Sequence, residues 1–195
     1  MIIDVSVWQQ LIDWDKVITN PEKIEGVFIR TNVGVGAIDP NLVKNANGAT
    51  KVGILVGYYH FATLNRTDVA NDAKDEANFL IGLLKTVPEA KLPVVLDIEE
   101  NKIGLKPAEI ELWVTTFFDT MKSGGYMNLM LYSYSPFLNV NLPANHKLGV
   151  YPLWVAAYAP KFMLPRGWTN AKYWQYSGSG RVNGIKVNVD LTRNV

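Results

Sequence analysis

Leu92-Pro-Val-Val-Leu-Asp-Ile-Glu-Glu100 is an apolar run that ends in acids. Pro93 to Ile98 reads as a short strand that is otherwise buried. Side chains on a strand alternate faces with a period of two, so Asp97 and Glu99 point the same way off its C-terminal end. Two carboxylates held that close repel, and one of them tends to keep its proton near neutrality.

The same pattern recurs on both sides of this run. Ile2 to Val5, Gly26 to Thr31, Gly53 to Phe61 and Leu129 to Tyr134 read as strands. Between them, Asp68 to Lys85 sets Ala70, Ala73, Ala77, Leu80, Ile81 and Leu84 on one helical stripe. Pro107 opens a second helix carrying Ile110, Trp113, Val114, Phe117 and Met121, and Gly124-Gly125 ends it. Asp39 or Asn41 is placed to cap a shorter helix running to about Thr50. Alternating strands and helices indicate a parallel α/β sheet with right-handed crossovers.

The last third breaks the rhythm. Leu153 to Tyr158, Tyr173 to Tyr176 and Lys186 to Leu191 look like strands, but their links hold Pro160, Pro165, Gly167, Gly178, Gly180 and Gly184. The expectation is an irregular TIM-like α/β barrel of eight strands, with the last three joined by loops. With 195 residues and 48% hydrophobic composition, one domain over 1–195 is expected.

A formal net charge of +1, with basic residues scattered singly, makes no case for nucleic acid or anionic lipid. The absence of cysteine removes disulfides, zinc thiolates and thiol nucleophiles. No apolar stretch approaches the roughly 18 residues of a membrane span. Met1-Ile-Ile-Asp4 reads directly as a core strand, so the expectation is a chain made without its own export signal or one from which the signal has been removed.

In a β/α barrel, chemistry gathers where the strands' C-terminal ends meet. Asp4 ends the first strand, Tyr59 to Phe61 the third, and Asp97 and Glu99 the fourth. Tyr132 ends the fifth, Tyr158 the sixth, Gln175 or Tyr176 the seventh and Asp190 the eighth. Closure makes the first and eighth strands neighbours, which brings Asp190 beside Asp4. Aromatic rings stack on the C–H faces of sugars and carboxylates accept sugar hydroxyls, so this mouth suits a polysaccharide. A protonated carboxyl beside an ionised one is the minimal equipment for cleaving a glycosidic bond.

Taken singly, each residue has a plainer reading. Asp97 to Glu100 fits an acidic turn, and Asp4 and Asp190 fit turn positions. His60 reads as a satisfied barrel-end histidine. His146, in a polar loop, is the only other, so no histidine metal site is expected. Trp113, Phe117 and Phe118 read as helix–barrel core, while Trp8 and Trp14 fit core or rim. Gly34-Val-Gly36 lacks the third glycine and the Lys-Ser/Thr of a nucleotide loop.

Together the residues resemble the family-25 glycoside hydrolases, the lysozymes of fungi and of bacteriophage lysins. The likeness runs through Asp4-Val-Ser6, Gln9, Ile12-Asp-Trp14, Phe28-Ile-Arg30 and Asp39. It continues through Gly57-Tyr-Tyr-His-Phe61, Leu96-Asp-Ile-Glu99 and Leu131-Tyr-Ser133. It closes with Leu153-Trp-Val-Ala156, Tyr158, Trp174-Gln-Tyr176 and Val189-Asp-Leu191.

The resemblance implies eight strands with about five helices, and cleavage of the β-1,4 bond from N-acetylmuramic acid to N-acetylglucosamine in peptidoglycan. It implies Glu99 as general acid/base, with Asp97, Asp4 and Asp190 on the family's other acidic positions. Tyr59, Phe61, Tyr132, Trp154 and Tyr158 match aromatic or apolar positions around its groove. It also suggests a substrate-assisted course, in which the 2-acetamido oxygen attacks the anomeric carbon and Asp97 steadies the intermediate. The spacing of the two acids alone fits retention or inversion equally. Thr31-Asn-Val-Gly34 departs from the family's usual pattern, which puts the loop after the second strand in question.

No cofactor or metal is expected. The expected partner is bacterial peptidoglycan, with no nucleic acid, no membrane and a monomeric chain. The competing readings are a non-catalytic peptidoglycan-binding barrel and a divalent-metal enzyme using the same carboxylates. The expected context is the bacterial cell wall, reached by a phage endolysin held in the host cytoplasm until lysis, or by a secreted lysozyme trimmed to its catalytic part.

Overall fold

The computed structural model describes residues 1–195. Its strands are β1 (Ile2–Val5), β2 (Gly26–Val33), β3 (Ala37–Ile38), β4 (Leu55–Phe61), β5 (Val94–Asp97), β6 (Leu129–Tyr134), β7 (Leu153–Ala156), β8 (Tyr173–Gly180) and β9 (Val189–Asn194). The helices are α1 (Trp14–Val17), α2 (Leu42–Lys51), α3 (Val69–Leu84), α4 (Pro107–Ser123) and α5 (Ser135–Asn141). Eight strands close a barrel in the order β1-β9-β8-β7-β6-β5-β4-β2, with β2 returning to β1. The two-residue β3 folds back on the outer end of β2. No helix is long and apolar enough to cross a membrane.

Seven strands of the barrel are parallel, and β9 runs antiparallel to both of its neighbours. This corrects the expectation that Asp190 ends the last strand: it is the second residue of β9. The reason is the length of the link. Only residues 181–188 separate β8 from β9, and a parallel return needs a crossover of a dozen or more residues. The start of β9 therefore lies at the barrel end where the other strands finish. Residues 157–172, between β7 and β8, hold no helix.

Period-two alternation divides the strand side chains into two layers. Ile2, Phe28, Val95, Met130, Trp154 and Tyr173 point inward and plug the barrel. Phe28 stacks on Trp154 with ring centroids 4.5 Å apart and meets the edge of Tyr173 at 5.8 Å. Gly57 leaves room for this plug, since a Cβ there would lie 2.5 Å from Phe28 Cε1. Ile3, Val27, Ile29, Val56, Leu96, Leu131 and Val155 point outward into a larger core shared with the helices.

The helices follow their local signals. Asp68 caps α3 by accepting from the Asn71 N–H, and Pro107 opens α4 at a position that needs no donor. Two acids lie on the buried stripe of α3 that the apolar pattern did not show. Glu76 meets His60 Nε2 at 2.6 Å and Thr63 Oγ1 at 2.5 Å, and Asp72 accepts from Trp113 Nε1 at 2.9 Å and Arg66 Nε at 2.8 Å. His60 thus faces the helix layer and not the mouth. His146 is buried too: the Leu148 N–H donates to its Nδ1, which leaves Nε2 as the donor to the Arg166 carbonyl. Trp113, Phe117 and Phe118 are core, Trp14 is buried beside Gly48, and Trp8 is exposed.

Candidate active site

β1 and β9 bring Asp4 and Asp190 directly opposite each other across an antiparallel pair. Across the barrel, Asp97 closes β5 in register with Phe61 on β4 and Tyr132 on β6. Glu99 continues the same face two residues later. These four acids line one cavity of about 220 Å³ together with Tyr59, Phe61, Tyr132, Trp154 and Tyr158, so all nine residues singled out from the sequence meet there. Tyr158 lies two residues beyond the end of β7 and is largely exposed. Trp154 forms floor rather than rim: it is buried, with its indole N–H on Thr192 Oγ1 at 3.1 Å.

Three further residues complete the lining: Arg30, Tyr134 and Gln175. Period two gives a signal for the first two, since Arg30 follows inward-facing Phe28 and Tyr134 follows inward-facing Tyr132. Gln175 does not end its strand as expected: β8 runs on to Gly180, which leaves Gln175 as its third residue, and nothing local marks it as a junction. Its Oε1 accepts from the hydroxyls of Tyr132 and Tyr158, each at 2.8 Å, and its Nε2 donates to Asp4 Oδ2 at 2.9 Å.

The carboxyls form two pairs, each with a deep and a shallow member. Asp4 and Asp97 are buried at 7% and 5% exposure, while Glu99 and Asp190 are half-buried. Burial pushes Asp97 well above the usual carboxylate range, reinforced by the charge and contact of Glu99 and then by Asp4. Burial also raises Glu99, against the contacts with Asp97 and with Tyr132. Asp4 is raised by burial and by Asp190, while the Gln175 amide pulls the other way. Asp190 is raised by burial, offset by its contact with Asp4. A proton shared within each pair relieves the repulsion. No group of three or more acids or histidines converges in a set able to hold a metal ion.

Burial, followed by the nearby acids, also raises the phenols Tyr59 and Tyr132, so both stay neutral hydrogen-bonding groups. Arg30 is the single cation in the lining, and Asp39 engages it. Asp39 Oδ2 accepts from Arg30 Nε and from its terminal NH2, both at 2.9 Å, and from the Val7 N–H at 2.9 Å. Its Oδ1 accepts from the Asn41 N–H at 2.9 Å. Asp39 is therefore a clamp between β2 and the rim loop, while Asn41 is the N-cap of α2 and makes no side-chain cap bond.

The rim is built to stay in place. Ser6 and Gln9 form a capping box around the turn Val7–Gln9, and Gln9 Nε2 reaches the carbonyl of Asn188, two residues before Asp190. Thr31-Asn-Val-Gly34 carries β2 through a bulge into the β3 hairpin. Gly34 takes φ +54° at its turn, and its carbonyl accepts from Asn32 Nδ2 at 2.6 Å.

A family model described as glycosyl hydrolases family 25 matches residues 3–185. Lysozyme M1 of Streptomyces globisporus is 30% identical over 200 residues, which cover 98% of this chain and 66% of that protein. The chain thus spans about two thirds of the length of such curated relatives. The bacterial lysozyme from Streptomyces coelicolor superposes with a TM-score of 0.84 at 25% identity, covering 98% of this chain and 90% of that one. The modular autolysin LytC from Streptococcus pneumoniae, solved in complex with a synthetic peptidoglycan ligand, superposes with a TM-score of 0.84 at 29% identity, covering 98% of this chain and 45% of that one.

Proposed function

The chain belongs to glycosyl hydrolase family 25, and from that premise we propose that it is a peptidoglycan hydrolase acting on the bacterial cell wall. The bond cut is the β-1,4 link from N-acetylmuramic acid to N-acetylglucosamine, and residues 1–195 act as one catalytic unit. The observation that carries this reading is the buried carboxyl pair at the end of β5. Asp97 is sealed beneath, and Glu99 is half-exposed to the cavity.

Glu99 is the general acid/base. Burial raises it towards the range in which a carboxylic acid still holds its proton for the leaving oxygen. Its contact with Asp97 leaves no room between the two groups for a nucleophilic water, which an inverting enzyme holds across ~6.5–9.5 Å. That closeness favours retention with the substrate's own acetamido group as nucleophile.

In this course Glu99 gives its proton to the glycosidic oxygen as the bond from C1 breaks and the acetamido carbonyl oxygen bonds to C1. Asp97 lines the cavity beside Glu99, where its carboxylate holds the acetamido N–H and its charge stabilises the oxazolinium ion that forms. Glu99, now ionised, takes a proton from water as the water oxygen attacks C1 and the ring opens. Tyr158 offers the incoming glycan an exposed ring at the rim, and Asp4 and Asp190 hold the opposite wall.

The test is Glu99→Gln assayed on purified cell wall. Loss of a general acid predicts a fall of about 10²–10⁴ in rate with an unchanged melting temperature. Near-wild-type lysis by this variant would remove Glu99 from the mechanism. Mass spectrometry of the wild-type digest names the bond, because N-acetylmuramic acid must stand at the new reducing end.

A further inference from the structure

We propose that Trp8 is a saccharide-binding platform at the lip of the mouth, on which a sugar unit of the glycan strand outside the cavity stacks. The proposal rests on the reading of the chain as a peptidoglycan hydrolase for the identity of the ligand. It starts from the place of one indole. Of the six tryptophans, Trp14, Trp113, Trp154, Trp168 and Trp174 are no more than 7% exposed, whereas Trp8 is 73% exposed. A large ring left in water withholds from the fold the apolar burial that every other tryptophan here supplies.

The ring is exposed, yet the turn beneath it is firmly tied. The Trp8 N–H donates to Ser6 Oγ at 3.3 Å, the Ser6 N–H to Gln9 Oε1 at 2.8 Å and the Gln10 N–H to the Val7 carbonyl at 3.0 Å. Gln10 closes the turn at φ +58°, ψ −136°, a conformation normally left to glycine. A platform fixed in advance loses little conformational freedom when a ligand settles on it.

Two further bonds join this turn to the cavity wall. The Val7 N–H donates to Asp39 Oδ2 at 2.9 Å, the same oxygen that holds Arg30. Gln9 Nε2 donates to the Asn188 carbonyl at 3.1 Å, two residues before Asp190. Arg30 and Asp190 line the cavity, and Trp8 does not. The turn therefore stands outside the lining on the β1 and β9 side, across the mouth from Asp97 and Glu99.

The cavity of about 220 Å³ is smaller than the ~300–1,000 Å³ of pockets that enclose a whole small ligand. A polymer cut there runs out over the rim, and its units beyond the cavity need a surface of their own. A pyranose ring presents C–H groups on its face, and an indole is the largest flat apolar surface a side chain offers them.

The experiment compares wild type, Trp8→Ala and Trp8→Phe on peptide-free glycan strands, with long chains set against the shortest chain that wild type cuts. A sugar laid on one indole face covers roughly a third of the ~150–250 Å² that such a side chain can bury. At about 25 cal/mol per Å² that area corresponds to a roughly tenfold change in affinity. The ratio of long-chain to short-chain kcat/KM should fall by that factor in Trp8→Ala, through KM and not kcat, and Trp8→Phe should recover part of it. An unmoved ratio overturns the proposal. So does an equal loss on long and short chains, which would mean that the turn acts only by holding Asn188 and Asp190.

A second measurement does not depend on turnover. Trp8 is the one exposed indole, so brief treatment with N-bromosuccinimide should oxidise it first, and peptide mass spectrometry reads the extent. Long glycan should protect Trp8 in the Glu99→Gln variant. An unprotected Trp8 overturns the platform whatever the catalytic result. Protection without any cleavage by wild type would keep the platform and remove only the assigned reaction.

Discussion

Asp97→Asn should abolish lysis and yet make the protein more stable at neutral pH. The wild-type chain buries Asp97 at 5% exposure against Glu99, and burial raises both carboxyls. The folded state therefore retains a proton that the unfolded chain releases above the ordinary aspartate value of 3.8. Stability from this site is complete below that value and is lost as pH rises through the raised folded value. The slope is at most about 1.4 kcal/mol per pH unit for one retained proton. In a chain of this size each kcal/mol moves the melting temperature by about 2–4 °C, so the wild type should lose roughly 3–6 °C per pH unit across the window. An asparagine amide supplies Glu99 with the hydrogen that the shared proton supplies, at any pH. The assay is calorimetry of both proteins from pH 4.5 to 7.5. The Asp4–Asp190 pair is present in both and cancels in the difference. The variant curve should lie above wild type at pH 7 and converge with it towards pH 4.5. Parallel curves, or a variant less stable at neutral pH, would refute the shared-proton account of the pair.

Two other substitutions test the frame around the site. Asp39→Ala strips a buried carboxylate from Arg30, the Val7 N–H and the Asn41 N–H. Breaking a buried ion pair costs about 3–5 kcal/mol, and thermal unfolding should record it. Lysis should fall as well, because the rim loop and Arg30 lose their common anchor. Gly57→Ala drives a Cβ to 2.5 Å from Phe28 Cε1 and 2.9 Å from Leu92 Cβ. Overpacking of this kind costs about 1–3 kcal/mol, and Phe28→Leu in the same chain should recover part of the lost melting temperature.

Much of the architecture is legible because its causes are local. The alternation that puts Asp97 and Glu99 on one face also sorts Phe28 from Ile29 and Tyr132 from Leu131, inward from outward. The helical stripe of α3, the cap at Asp68 and the Pro107 start are legible for the same reason. The buried acids Asp72 and Glu76 are not, because their partners His60, Thr63, Arg66 and Trp113 come from other elements. A lone acid on an apolar stripe looks like an error until its partner is in place. Asp39 illustrates the opposite failure. Its position before a helix suggests a cap, yet a carboxylate with Arg30 within reach takes the charged partner.

The sequence alone determined the strand–helix rhythm, the shared face of Asp97 and Glu99, and the collection of acids and aromatic rings at strand ends. Each depends only on which residues stand a few positions apart, and a strand or helix carries that information in its own repeat. Tertiary structure decided what needs long-range contact. It reversed β9 and so set Asp190 opposite Asp4, 186 positions earlier in the chain. It also tied Tyr132, Tyr158 and Asp4 to one amide on β8. Hydrogen-bond direction and the sharing of a proton depend on distances of a few tenths of an ångström between side chains from different strands. Barrel closure alone supplies those distances.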